Sequence, residues 1–87
     1  MQKVTFRTEI FKEGDVYVAL CPELNVSSFG ETVEEARSSL HEAIEAFVEE
    51  CEAMGTLDEV MEESGFVKEN TTWVSRKPLV QELLSVG

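Results

Sequence analysis

The sequence predicts a single α+β domain in the order β-β-β-α-(α)-β, one antiparallel sheet with a long helix packed on one face. Three observations carry that expectation. Apolar and polar residues alternate up to Gly30, the apolar spacing changes to threes and fours from Val33 to Met54, and a β-prone stretch returns at residues 71–75. A helix with one apolar side needs a sheet face to cover, and a sheet with one helix layer satisfies both. With 87 residues the chain is long enough for one modest core and too short for two.

Residues 2–12 open the domain as a half-buried strand. Val4, Phe6, Thr8 and Ile10 fall on one side, and Lys3, Thr5, Arg7 and Glu9 on the other. Glu13-Gly14-Asp15 is a turn, with Gly14 free to take positive φ. Residues 16–21 form the returning strand of a hairpin, ended by Pro22, which removes a ladder donor. Residues 26–29 form a third strand, stopped by Gly30.

Thr32-Val33-Glu34-Glu35 is a capping box. The Thr32 hydroxyl accepts from the Glu35 N–H, and the Glu35 carboxylate reaches back to the Thr32 N–H. In the helix it opens, Val33, Ala36, Leu40, Ala43, Ile44, Phe47, Val48, Cys51 and Met54 make one apolar stripe, expected to lie on the sheet. Glu34, Glu42, Glu45, Glu49 and Glu52 gather on the opposite side. Gly55 is the stop. Thr56 starts a second, shorter helix with Leu57, Val60 and Met61 inward, ended by Gly65. Residues 71–75 are the last strand. The domain is expected over residues 1–78, followed by a short apolar tail at 79–87. In that tail Leu79, Val80, Leu83, Leu84 and Val86 have helical spacing over about two turns, too short to be stable undocked.

Charge is the most informative bulk property. Residues 31–63 hold twelve acids and one base, Arg37, which accounts for the whole net charge of −11; the other residues hold six acids and six bases. Such a field repels nucleic acid and anionic membrane and attracts a basic partner. No direct nucleic-acid or membrane binding is therefore expected. No apolar run approaches the roughly 18 residues of a membrane helix, and the N-terminus lacks a signal-peptide core. The expected location is the cytoplasm.

The chemistry-bearing residues read plainly. His41 is the single histidine, at the border of the helix's apolar and acidic sides, and Ser38 and Ser39 lie on other azimuths, so no Ser–His pair is built. The acids lack the loop spacing of a calcium site. Cys21 and Cys51 form neither a zinc pattern nor a disulfide framework and read as reduced thiols. No phosphate-cradling glycine loop or nucleophile elbow is present. No catalytic residue, metal or cofactor is expected.

Gly14-Asp15-Val16-Tyr17-Val18-Ala19-Leu20-Cys21-Pro22-Glu23-Leu24, then Gly30-Glu31-Thr32-Val33-Glu34-Glu35-Ala36, then Ala43-Ile44-Glu45-Ala46-Phe47, together resemble the HicB-like antitoxin family. The likeness covers about residues 3–55 and lies in the ordered combination of the three pieces. It implies a partial ribonuclease-H-like domain without nuclease activity. It also implies a partner, a small basic HicA-type toxin that cleaves messenger RNA, whose active surface this domain would mask. The acidic residues Glu34, Glu42, Glu45, Glu49 and Glu52 would face that partner. The chain departs from the family pattern after Pro78, where nine residues are too few for the family's DNA-binding module. The expectation is thus a solitary member that does not bind its own promoter. It departs again at Asn25, where the family has a glycine. A toxin-free homo-oligomeric regulatory or small-molecule-sensing domain is the alternative. In either case a homodimer is expected, its contact made by the tail residues Leu79, Val80, Leu83, Leu84 and Val86 and by the N-terminal hairpin, which avoid the acidic segment.

Overall fold

Strand β1 (Lys3–Thr5) is followed by β2 (Glu9–Glu13), β3 (Val16–Cys21) and β4 (Val26–Gly30), then by helices α1 (Val33–Met54) and α2 (Leu57–Glu63), and finally by β5 (Phe66–Glu69) and β6 (Thr72–Ser75). This order comes from a computed structural model, which describes residues 2–87. The protein is α+β, with two three-stranded sheets and one long helix.

The expected single antiparallel sheet is corrected in two respects. The strands form two sheets, ordered β2-β3-β4 and β1-β6-β5, and the second contains a parallel pair, β1 with β6. The long N-terminal strand is broken at residues 6–8, where the chain changes partners. Thr5 still pairs with Val74 of β6, whereas Glu9 pairs with Leu20 of β3. The break is pinned, because the Arg7 backbone N–H donates to Ser75 Oγ at 2.9 Å. β6 runs parallel to β1 because it returns only after the chain has crossed over through both helices.

The hairpin β2–β3 turns at Gly14, φ 62°, as the sequence requires. At the β3–β4 turn Asn25 takes φ 53° and its N–H donates to the Pro22 carbonyl at 3.2 Å; Asn is one of the few side-chain-bearing residues that enter this region readily. β5 has no counterpart in the sequence reading. It pairs with β6 across a two-residue turn in which Asn70 has φ 59°.

α1 begins as predicted on Thr32, whose Oγ1 accepts from the Glu35 N–H at 3.0 Å; the return bond from Glu35 is not formed among the described residues. It ends at Gly55, φ 71°, where Thr56 N–H reaches the Cys51 carbonyl at 2.9 Å and Gly55 N–H the Glu52 carbonyl at 3.1 Å. Those two bonds are a Schellman cap. Ala36, Leu40, Ile44, Val48 and Cys51 are buried against Ala19 and Cys21 of β3, with Leu57, Met61, Phe66 and Trp73 completing the core. The predicted stripe is too long at both ends, since Val33 and Met54 are exposed, Met54 by 67%. Each sits in a terminal turn, beyond the sheet.

The tail also departs from expectation. It forms neither helix nor strand, and its apolar side chains are open, with Leu79 at 103%, Leu83 at 99% and Val86 at 103% exposure. It does not dock on the chain's own sheet. The radius of gyration, 14.6 Å, exceeds the roughly 12 Å that the scaling law gives a chain this long, as an extended tail requires. No helix among the described residues is long and apolar enough to cross a membrane.

Candidate partner-binding surface

Because α1 is seated by Leu40, Ile44 and Val48, the residues one position after each of them, His41, Glu45 and Glu49, are turned toward solvent, whereas Phe47, before Val48, packs on the core. Glu34, Glu42, Glu45 and Glu49 are all exposed. Glu34 is paired with Arg37 one turn later, itself exposed, so the single base of the segment is engaged locally. On α2, Asp58, Glu59, Glu62 and Glu63 are also exposed, and Lys68 of β5 approaches Asp58 at 3.8 Å. Pairs this exposed contribute little to stability. The surface is a dense array of carboxylates with two neutralising cations at its margin.

Glu52 does not belong to that array in the same way. It is half-buried, and its Oε2 accepts from the Gln2 backbone N–H at 2.8 Å, tying the start of the sheet to the end of α1. His41 is exposed beside a cleft of about 230 Å³ between α1 and β1, lined by Val4, Phe6, Ile44, Glu45 and Val48. Nothing among the described residues orients its ring by a hydrogen bond. Among those residues, too, no three of His, Cys, Asp and Glu converge as a metal site would need.

Both cysteines are buried and unpaired. Burial pushes the Cys21 thiol above its ordinary value, the backbone amides of Leu24 and Glu23 and the Arg7 charge pull it down, and the Glu23 carboxylate adds to the rise. A thiol held neutral in the core is a packing residue, not a nucleophile.

A second polar cluster escaped the sequence reading. Arg7 and Glu23 form an ion pair at 3.3 Å, with the Glu23 side chain 12% exposed. Arg76, Lys77, Pro78 and Gly65 complete a cavity of about 350 Å³ around them. Arg7 Nε and Glu23 Oε1 are buried there without a protein partner. Residues 7, 23 and 76 are brought together by the parallel return of β6, a long-range event with no local signal. Comparison with family models, with curated proteins and with solved structures gives no match.

Proposed function

We propose that this chain is a non-catalytic binding module of the HicB-like antitoxin type, acting in the cytoplasm, which neutralises a small basic HicA-like toxin by masking its RNA-cleaving surface. The observation that carries the reading is the outward array of Glu34, Glu42, Glu45 and Glu49 on a helix whose other side is fully committed to the core. Such an array steers a basic protein in and excludes competing nucleic acid by repulsion. Three features of the fold support it. The antiparallel β2-β3-β4 sheet, the covering helix and the parallel β1–β6 pair agree with a partial ribonuclease-H-like order. Asn25 takes the left-handed conformation at the position where the family has glycine. The capped helix opens at Thr32, inside the resembling stretch.

The test is inhibition of a purified HicA-like ribonuclease by the purified chain. Stoichiometric chain should protect RNA, and the triple reversal Glu42→Lys, Glu45→Lys, Glu49→Lys should weaken protection by at least about tenfold, roughly 1.4 kcal/mol. An untouched ribonuclease in the presence of excess parent chain would sink the reading.

A toxin-free, homo-oligomeric regulatory or small-molecule-sensing domain is the second reading, favoured by the Arg7–Glu23–Arg76 cavity. Both readings include a homodimer, with the exposed tail residues Leu79, Val80, Leu83, Leu84 and Val86 and the N-terminal hairpin as its contact.

A further inference from the structure

The register of the β2-β3-β4 sheet places one row of side chains that the core does not use. Phe11 lies opposite Val18, and Val18 opposite Phe29, so the three form a line across all three strands. Residues directly opposite share a face. Ala19 and Cys21 point to α1 and are buried, so Val18 and its neighbours Val16 and Leu20 point to the other side. Phe11 is 52% and Phe29 69% exposed. The outer face of the other sheet carries a polar row, Lys3–Thr72–Glu69, beside a mixed row, Thr5–Val74–Val67, and has no aromatic side chain in either. The aromatic row across all three strands belongs to the β2-β3-β4 sheet alone.

We infer that the Phe11–Val18–Phe29 face is the contact of a twofold dimer, covered by the same face of a second copy of this chain. The inference rests on the homodimer proposed above and moves its centre from the tail to the sheet. Charge selects the occupant. Eleven net negative charges lie in residues 31–63, and both helices are on the opposite side of the sheet from this row. Joining two chains sheet to sheet therefore keeps their acidic helices farthest apart. Any contact made through the helices brings the acidic arrays together. A basic protein is drawn to the helices and finds no carboxylate in the aromatic row itself; Glu9 and Glu13, at the two ends of β2, stand at its rim. An apolar row crossing three strands is also self-complementary, as a twofold contact requires.

The two phenyl rings expose on the order of 200 Å², and the half-buried Val16, Val18 and Leu20 extend the patch along β3. A stable dimer needs about 800 Å² from each partner, so the aromatic row is the centre of the contact and the hairpin around it supplies the remainder.

Sedimentation of the full chain at micromolar concentration tests this, with the double variant Phe11→Lys/Phe29→Lys and a chain truncated after Pro78 run beside it. Both phenylalanines are solvent-exposed in the single chain, so circular dichroism of the double variant should match the parent. The expected result is a dimer for the parent and for the truncated chain, and a monomer for the double variant. A dimer that survives Phe11→Lys/Phe29→Lys but is lost on truncation overturns this inference and leaves the tail-centred dimer standing. A monomeric parent overturns both.

Discussion

Gly30 shows how a single position holds this fold together. It is buried at the end of β4, and a Cβ built there would lie 2.5 Å from the Glu35 Cβ and 2.6 Å from the Ala36 backbone nitrogen. The first turn of α1 therefore rests directly on the Gly30 backbone, a distance no other residue permits. Gly30→Ala should destabilise the protein by about 1–3 kcal/mol, the range for overpacking against groups that cannot retreat. Urea midpoints check this, and equal midpoints for parent and variant would mean that the helix is seated elsewhere. The reason for glycine here is steric approach and not positive φ, so the sequence alone offered only its role as a strand stop.

Among the elements, α1 is the one most fully specified by its own residues. Its cap, its buried stripe and its left-handed stop are all local, and each is present. Thr32→Ala should cost about 1 kcal/mol, because the Glu35 N–H loses its acceptor; Thr32→Ser should restore most of it. Denaturation of the three proteins makes the comparison, and an alanine variant as stable as the serine variant would show that the cap contributes nothing. The strands are less self-sufficient. β5 has four residues, two of them charged, and only Phe66 is buried. It is a strand because β6 lies beside it. The tail has helical apolar spacing but is too short to nucleate, and in the single chain it stays irregular.

At the scale of the molecule, charge is segregated. Residues 31–63, which span both helices, carry the full −11, while the remaining residues are neutral in sum. Acids such as Glu45 and Glu49, one turn apart on α1, repel each other, and so do those of α2. Folding holds these carboxylates closer than the unfolded chain does, so screening should favour the folded state. Raising sodium chloride from about 20 to 500 mM, which shortens the Debye length several-fold, should raise the melting temperature. A melting temperature that is flat or falls with salt would mean that the acidic array is compensated. The same segregation sets the two proposed contacts apart, a basic partner at the helices and a second copy at the outer sheet face.

The residues by themselves determined the α+β class, the first hairpin, the capped helix with Leu40 and Ile44 inward, the second helix and the location of the acidity. Each of these depends on neighbours within about one turn of helix or one strand length, and periodicity records such neighbours. Only the tertiary structure decided the partner exchange at residues 6–8, the parallel return of β6, the short β5 and the cluster of Arg7, Glu23 and Arg76. Those depend on which strand ends up beside which, and a strand's pairing is fixed by burial and register across the whole sheet. The outer aromatic row lies between the two cases. Val16, Val18 and Leu20 alternate with Ala19 and Cys21, so β3 is apolar on both faces in the sequence itself. Which of those faces the helix covers, and which Phe11 and Phe29 flank in the open, was settled only when small Ala19 and Cys21 let α1 pack closely against their side.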